Sequence, residues 1–543
     1  MKTLVAYLCD YRDRNDYFLS LMPVGAVSIA AALEARGHDV TLANYSREGV
    51  RSAAAHIQSI KPDAVGLSVC THNRTDSLRL AVEIKKRLPK TIIIAGGPHA
   101  AFLGEEILRR VKAVDYVVRG EGELAFAELL ARHAKKAPAS ERIVQGERIK
   151  DLDALPFPAR FGGTMRGMDP NEQFKYIITS RGCPHRCAFC CSPRLWGRTT
   201  AFRSAEHIVD EIEHCVKTYG IIYFSIRDDN FTLRRERVLK FCRLLRERKL
   251  YIMWNCQSRV DTLDGEMLLE MKRAGLEHIQ LGVESGSERI LAMYDKRTTV
   301  ADIEKASAAV RRAGAYLSFY LMAGMETERA ADIKETIKLI RRTLPGDGIV
   351  SPVALYPGTA LYDAVKARGD IDDSLWFRSK DNGIYLRDDA EVGRWVRTLA
   401  DELGAIRKRS WYREKDFRAH RRAAGGNCWV TDILEGDFHL DGERHDRALE
   451  RYRAAARRHP LNPWPFLRMG KARFMSGRYQ EAERDFAFVT EIVPKFYGGW
   501  LKRAESLLAL GRRDESRACA EKAARLNPYD FRIRNIKKLL NHK

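Results

Sequence analysis

Short apolar runs alternate with amphipathic stretches throughout the first 150 residues of the chain. Two of the intervening stretches, 26–36 and 76–88, place apolar residues at helical spacing. Strands separated by helices predict a doubly wound parallel sheet, whose ligands bind beyond the carboxyl ends of the strands. The predicted strands are residues 4–8, 40–43, 64–69, 92–95 and 116–118.

A second alternating pattern follows the segment 151–168, which contains Leu155-Pro-Phe-Pro158. Prolines at a domain-length boundary indicate a linker. We therefore predict one α/β domain over 1–150 and another over 169–385. Six apolar runs in the second domain predict six β/α units, and hence a partial or complete β/α barrel with its site at the carboxyl ends of the strands. These runs are residues 176–179, 222–226, 252–255, 278–283, 317–321 and 349–355.

The last part of the chain has helical patterns only. Residues 386–435 are basic and predict a helical connector, and 436–543 contain a repeat with a step of 34 residues. The positions that keep this step are Ala448, Ala482 and Ser516, and Pro460, Pro494 and Pro528. A helix–turn–helix unit of this length is typical of tetratricopeptide repeats. Such an array either recruits a protein partner or caps the barrel, and the sequence leaves both open.

Composition and charge narrow the class of protein. No apolar run among the 543 residues approaches the roughly 18 needed to cross a bilayer. Eleven unevenly spaced cysteines favour a metal site in a reducing compartment over a disulfide framework, so we expect a cytoplasmic protein. The net charge is +22, but the densest basic run, 407–422, has few interleaved aromatic residues. We therefore favour a well-solvated surface over a nucleic-acid partner.

One cysteine motif carries specific chemistry. Cys183, Cys187 and Cys190 form a C-x3-C-x2-C pattern in the loop after the first barrel strand. Three thiolates can ligate three irons of a [4Fe-4S] cluster, which leaves the fourth iron open to chelate a substrate and deliver an electron. Cys191 is adjacent, and we interpret it as structural or incidental.

With this motif the chain resembles the radical S-adenosylmethionine (SAM) superfamily over residues 1–385. Further matching segments end successive barrel strands: Arg227-Asp-Asp-Asn-Phe-Thr232, Gln257-Ser-Arg259, Gly282-Val-Glu-Ser-Gly286 and Tyr356-Pro-Gly-Thr359. The resemblance implies an aromatic residue near the adenine, carboxylates near the amino group, an arginine near the carboxylate and polar groups near the ribose of SAM. The SAM-binding residues that it implies are Phe189, Asp228, Asp229, Arg259, Glu284 and Ser285.

The first domain resembles the cobalamin-binding branch of that superfamily. The matching segments are Phe18-Leu-Ser-Leu-Met-Pro-Val-Gly25, Gly96-Gly-Pro-His99, Arg119-Gly-Glu-Gly-Glu123 and the Leu-Pro-Phe-Pro linker. The chain lacks the Asp-x-His-x-x-Gly motif that supplies a lower cobalt ligand in many cobalamin proteins. The cobalamin-binding residues that the loops and the resemblance suggest are Ser68, Thr71, His72, Gly96, Gly97, His99, Gly120, Glu121 and Gly122.

The resemblance implies an enzyme that cleaves SAM and, with cobalamin, methylates an unactivated carbon of a small-molecule or peptide substrate. A flavodoxin- or ferredoxin-type protein would supply the electron. Three alternatives stay open: a cyclase or rearrangement enzyme with the same cofactors, a nucleic-acid-modifying enzyme, and a scaffold that acts through its repeats. The nucleic-acid alternative is weakened because methylthiolating relatives carry a second cysteine cluster, whereas this domain offers only Cys9 and Cys70.

Overall fold

The computed structural model describes residues 1–9, 20–378 and 383–541. Phe18 and Leu19, which belong to one predicted cobalamin-family segment, lie outside these residues. Within the described ranges, no helix combines the length and the apolar character that a bilayer span requires.

The first domain is a parallel sheet of seven strands in the order β6-β5-β4-β3-β1-β2-β7. The five predicted strands are present, and the doubly wound fold is confirmed. The chain order reverses between β1 and β3, and such a switch point opens a ligand crevice at the carboxyl ends of the strands. The strands are β1 Lys2–Tyr7, β2 Asp39–Asn44, β3 Ala64–Ser68, β4 Ile92–Gly96, β5 Tyr116–Gly120, β6 Ile143–Gly146 and β7 Thr164–Arg166. The helices are α1 Val24–Glu34, α2 Val50–Ile60, α3 Arg74–Arg87, α4 Pro98–Arg110 and α5 Gly122–Ala134.

The last strand of this sheet comes from the segment that the sequence marked as a linker. β7 pairs in parallel with β2, with Leu42 opposite Met165. The run is three residues long and is followed by Gly167, so apolar periodicity could not reveal it.

The second domain is an open parallel sheet in the order β15-β14-β13-β12-β11-β8, which confirms the six predicted barrel units and makes the barrel partial. A short antiparallel pair, β9 with β10, joins the two ends of the cysteine loop. The strands are β8 Tyr176–Ile177, β9 Ser180–Arg181, β10 Ala201–Phe202, β11 Tyr223–Ile226, β12 Met253–Arg259, β13 Leu276–Glu284, β14 Tyr316–Ala323, β15 Asp347–Pro352, β16 Ala354–Leu355 and β17 Ile384–Tyr385. The helices are α6 Pro170–Gln173, α7 Ser192–Leu195, α8 Ala205–Tyr219, α9 Arg235–Glu247, α10 Gly265–Arg273, α11 Glu288–Met293, α12 Val300–Ala313, α13 Ala330–Thr343, α14 Ala360–Ala367, α15 Leu375–Arg378 and α16 Ala390–Ser410.

The sixth predicted strand, 349–355, divides into two elements. β15 ends at Pro352, whose nitrogen cannot donate a ladder hydrogen bond. The residues after it form β16, which pairs antiparallel with β17 instead of continuing along β14.

The C-terminal region is entirely helical. The first helices of the repeat units begin at Trp429, Pro463, Tyr497 and Phe531, 34 residues apart. The small residues at the repeat positions Ala448, Ala482 and Ser516 are fully buried, as a tetratricopeptide packing requires. The helices are α17 Glu414–Ala423, α18 Trp429–Asp441, α19 His445–Arg458, α20 Pro463–Met475, α21 Tyr479–Ile492, α22 Tyr497–Ala509, α23 Arg513–Leu526 and α24 Phe531–Asn541.

One side of this array packs against the amino ends of the barrel strands. Trp464 and Val493 share an apolar cluster with Ile222 and Met253 of the barrel. A Cβ at Gly220 would lie 2.2 Å from the backbone of Lys495, so the two regions meet without a gap. The barrel therefore occupies one face of the repeats.

Candidate active site

A cavity of about 360 Å³ lies between the two α/β domains. One side consists of the loops that follow β3, β4 and β5, and the other side comes from the start of the barrel, including Ser180, Arg181 and Trp196. Asp229, which follows β11, reaches the same cavity. The carboxyl ends of both sheets thus open into one space.

Six of the nine predicted cobalamin-binding residues line this cavity, namely Ser68, Gly96, Gly97, Gly120, Glu121 and Gly122. The glycines have a steric reason to be there. A Cβ at Gly97 would lie 2.9 Å from the carbonyl oxygen of Val69, and the φ of Gly97 is +94°. A Cβ at Gly96, in contrast, would meet only the carbonyl oxygen of Val118 at 4.0 Å, so the loop after β4 leaves its backbone open to a bulky ligand such as a corrin.

The other three predicted residues point elsewhere. Thr71 pairs with His99, with 3.2 Å between Oγ1 and Nδ1, and His72 Nε2 lies 2.8 Å from the hydroxyl of Tyr7. His99 is 1% exposed and packs edge-on against Trp376 at 5.6 Å. Burial lowers the pKa of His99 to about 3, so its ring is neutral. The structure does not bring these two histidines into the cavity.

The cluster loop lies between β9 and α7. Cys187 is buried, and Cys183 and Cys190 are half-buried. Burial raises the pKa of Cys183, and it raises that of Cys190 to about 12, so binding of iron must itself stabilise the thiolates. No three histidine, cysteine or acidic side chains of the described ranges converge as ligands of a single metal ion.

The two neighbouring aspartates that follow β11 have different surroundings. Asp228 is 1% exposed and accepts hydrogen bonds from the backbone and hydroxyl of Thr179, both at 2.5 Å, and from the hydroxyl of Ser180 at 2.6 Å. Its carboxylate therefore fixes the strand that leads into the cysteine loop. Asp229 faces the cavity and accepts a hydrogen bond from the hydroxyl of Ser192 at 2.6 Å. Burial raises the pKa of its carboxyl group.

Arg259 ends β12 beside the cluster loop. Its Nη1 lies 3.6 Å from the Sγ of Cys187. Its Nε and Nη2 donate to the two carboxylate oxygens of Asp261 at 3.0 and 2.8 Å, and Nη2 also donates to the carbonyl of Lys296. The guanidinium thus stands next to a predicted cluster thiolate and is held there by an acid two residues away.

Glu284 and Lys296 form a buried ion pair of 2.7 Å beneath Phe189. Lys296 Nζ is 5.8 Å from the centre of the Phe189 ring. Glu284 has a φ of +68°, a sparsely populated conformation that concentrates at functional sites. Ser285, in contrast, is fully buried and lies 3.3 Å from the hydroxyl of Thr336, away from this group.

Two buried polar atoms near Phe189 have no hydrogen-bond partner among the described residues. These are the hydroxyl of Tyr294 and Oε1 of Glu328. Tyr294 packs edge-on against Phe189 at 5.3 Å. A polar ligand bound beside Phe189 would complete the hydrogen bonding of the Tyr294 hydroxyl.

A row of hydrogen-bonded polar side chains runs across neighbouring barrel strands and reaches the cavity at Arg227. Gln257 donates to the hydroxyl of Tyr320 at 2.8 Å, and that hydroxyl donates to Gln280 Oε1 at 3.0 Å. Arg227, which also lines the cavity, donates to the same oxygen at 3.2 Å. These residues alternate along their strands with the buried apolar residues of the opposite face.

Several charged residues that shape the site carry no signal of their role in the sequence. Arg181 lies two residues before the cysteine motif and Glu123 ends the segment Arg119-Gly-Glu-Gly-Glu123, but nothing in the sequence shows that they meet. Arg148 and Lys296 lie outside every recognised segment. Only the fold reveals such pairs, because their partners lie 12 to 60 residues away along the chain.

Comparison with known proteins agrees with this geometry. The B12 binding domain model matches residues 17–130, and the Radical SAM superfamily model matches residues 177–340. The chain is therefore a radical SAM protein with a B12-binding domain.

Three similar proteins extend the comparison. An uncharacterized methyltransferase of Pyrococcus horikoshii is 28% identical over 63% of this chain and 78% of its own length. The anaerobic magnesium-protoporphyrin IX monomethyl ester cyclase of Cereibacter sphaeroides is 27% identical over 59% of this chain and 56% of its own. The structure of the radical SAM methyltransferase TsrM from Kitasatospora setae, with cobalamin and a [4Fe-4S] cluster bound, shares the fold, with a TM-score of 0.60 and 16% identity over 84% of this chain and 100% of that chain. The chain thus combines a B12-binding domain with a radical SAM domain and is homologous to cobalamin-dependent radical SAM methyltransferases.

Proposed function

We propose that the protein transfers a methyl group from SAM to a carbon atom of a polar substrate. The observation that carries this proposal is the shared cavity, which receives the glycine loops of the B12-binding domain, Asp229 and the start of the cluster loop. Two cofactors that must cooperate in one reaction need such a common space.

Cys183, Cys187 and Cys190 would hold the [4Fe-4S] cluster, and Ser68, Gly96, Gly97, Gly120 and Gly122 would contact cobalamin. When bound, the cluster supplies the electron that cleaves SAM, and cobalamin supplies the methyl group. The residues of the chain bind and orient these groups and exclude water from them.

SAM would lie between the cluster loop and the strand ends. The carboxylate of Asp229 suits its ammonium group, and Phe189 suits its adenine. Three of the predicted SAM-binding residues would position SAM only indirectly, because their polar atoms already have partners within the chain: Asp228, Arg259 and Ser285. We therefore assign direct contact to Asp229 and support to the other three.

The row formed by Arg227, Gln257, Gln280 and Tyr320 favours a polar substrate. A hydrocarbon placed against Arg227, which lines the cavity, would remove water from its guanidinium group without providing a hydrogen bond in return, at a cost of about 1–3 kcal/mol. A substrate with hydroxyl, amide or acidic groups would meet donors and acceptors instead.

The proposal includes an electron donor of the flavodoxin or ferredoxin type and a reducing, cytoplasmic setting. Free cysteines throughout the described residues support that setting. Recruitment of a protein by the repeats stays a prediction, and their packing against the barrel supports the structural role.

The test is anaerobic reconstitution with iron, sulfide and cobalamin, followed by reductant and SAM. We expect about four irons per chain, a corrin spectrum that survives desalting, and release of 5′-deoxyadenosine. Cys183→Ala should abolish cluster and product, whereas Cys191→Ala, a matched control one residue beyond the motif, should retain both. Absence of the cluster in folded wild-type protein would overturn the proposal.

The cyclase relatives favour one second candidate, a rearrangement with the same cofactors. SAM labelled with deuterium in its methyl group separates the two. A product that gains the labelled methyl group supports methyl transfer, and an unlabelled rearranged product supports the alternative.

A further inference from the structure

Four charged side chains connect the B12-binding domain to the cluster loop, and we call them the ion-pair bridge: Glu121, Glu123, Arg148 and Arg181. Arg181 donates to Glu121 and to Glu123, both at 2.5 Å. Arg148 donates to Glu121 at 2.6 Å and to the carbonyl of Arg181 at 2.6 Å. Ser28 of α1 completes the group by donating to Glu123 at 2.7 Å.

Burying the charges of the ion-pair bridge costs free energy. The side chains of Glu121 and Glu123 are 2% and 4% exposed, and that of Arg181 is 14% exposed. Removing such charges from water costs several kcal/mol per ion, and apolar residues would stabilise the junction equally well. Stability alone therefore does not account for these residues, and the better explanation is that they fix one geometry.

The position of the bridge shows which geometry it fixes. Glu121 belongs to the loop after β5 and lines the cavity beside Gly120 and Gly122. Arg181 ends β9, two residues before Cys183, and also lines the cavity. A shift of either loop separates the two groups, because short paired hydrogen bonds tolerate little displacement.

The residues around the ion-pair bridge are tightly packed. Gly182 has a φ of +94°, and a Cβ there would lie 2.5 Å from the carbonyl oxygen of Thr199. The guanidinium groups of Arg148 and Arg181 lie over the ring of Trp196, at 5.2 and 5.8 Å from its centre. Movement of Arg181 is thus transmitted to the cysteines through a tightly packed turn.

We propose that the ion-pair bridge couples the two cofactor sites, so that loading of one strengthens loading of the other. This inference rests on the proposed function, since it requires that both sites bind their cofactors. Glu121, which the sequence placed among the cobalamin ligands, then acts as a positioning residue that connects the corrin loop to the cluster loop. Coupling between two sites is reciprocal, so it can be measured from either side.

The experiment measures hydroxocobalamin affinity of the full-length protein with and without a reconstituted cluster. For the wild type we expect cluster loading to tighten the affinity about tenfold, within the usual range of coupling between sites. In Arg181→Gln and Glu123→Gln the ratio should fall to near one. Glu105→Gln is the matched control, because Glu105 forms an exposed ion pair with Arg119 in the same domain and should leave the ratio unchanged.

The reciprocal measurement is the rate at which a chelator bleaches the cluster. Cobalamin should slow bleaching in the wild type and in Glu105→Gln, and should have little effect in the two bridge variants. Arg181→Lys keeps the charge but loses the paired geometry, so we expect an affinity ratio between those of the wild type and Arg181→Gln. This variant also provides a folded protein for the measurement if Arg181→Gln unfolds.

A wild-type affinity ratio of one, or bridge variants that keep the wild-type ratio, would overturn the coupling while leaving the proposed function intact. Wild-type protein that binds neither cofactor would overturn the proposed function and the coupling with it. The two failures are therefore distinguishable in the same titration.

Discussion

The two ends of the barrel have different neighbours and different roles. At the carboxyl ends of the strands, the glycine loops of one domain and the start of the cluster loop of the other border a single cavity. At the amino ends, the repeats pack directly against the barrel, and contacts such as Arg468 with Asp437 and Asn527 with Asp169 stabilise them. The first end is arranged for ligands and the second for stability.

The difference shows how to interpret charged residues in this fold. Arg181 and Arg468 are both largely buried and paired with acids, but only Arg181 borders the cavity and adjoins a cluster cysteine. Substitutions at the cavity end should therefore change cofactor binding, and substitutions at the repeat end should change the free energy of unfolding.

The largest effect should come from Gly97→Val at the cavity end. Its Cβ would meet the backbone of Val69, and its φ would be strained, so the loop after β4, which borders the proposed corrin site, must shift. We expect cobalamin affinity to fall about 100-fold while iron content stays normal. Gly49→Ala is the control, because a Cβ there meets nothing within 4 Å. Unchanged corrin retention in Gly97→Val would place cobalamin elsewhere.

At the repeat end, Arg468→Gln should act in the opposite manner. It leaves Asp437, which also accepts from the hydroxyl of Tyr452 at 2.7 Å, without its counter-charge. We expect a loss of about 2 kcal/mol in the free energy of unfolding, measured by urea denaturation, with both cofactors retained. Arg478→Gln removes an exposed pair with Asp446 and should cost less than about 0.5 kcal/mol. Loss of cofactors at Arg468→Gln would remove the distinction between the two ends.

His99 predicts a pH dependence. Burial lowers its pKa to about 3 in the folded chain, whereas an exposed histidine titrates near 6.5. Between these values the unfolded chain binds more protons, so stability falls as the pH drops below about 6.5, by about 2 kcal/mol at pH 5. His99→Leu should lose this share of the pH dependence when urea denaturation at pH 7 and pH 5 is compared. An equal pH dependence in wild type and variant would show that His99 is accessible to protons.

The smallest effect should come from Asn527→Ala, which removes a hydrogen bond of 3.0 Å to Asp169. We expect about 1 kcal/mol of destabilisation. A double-mutant cycle with Asp169→Ala checks that the cost comes from this contact, because two independent losses would simply add.

The sequence predicted those parts of the fold that depend on periodicity or on local motifs. Runs such as 64–69 and the 34-residue step of Ala448 and Ala482 led directly to strands and repeats. The sequence could not show that Thr179 and Ser180 donate hydrogen bonds to the buried carboxylate of Asp228, because these residues become neighbours only when two strands pair. Residue type made Asp228 and Asp229 equivalent candidates, and burial separates them.

Strand β7 determines where a fragment that contains the B12-binding domain should end. Thr164–Arg166 lies beyond the proline segment, yet it completes the sheet that begins at Lys2. A fragment that stops at residue 150 would expose the edge of β2, with Leu42 and its open hydrogen-bonding groups, and would tend to aggregate. A fragment expressed to Gly167 would retain that edge strand, so recombinant work on the B12-binding domain should extend past the prolines.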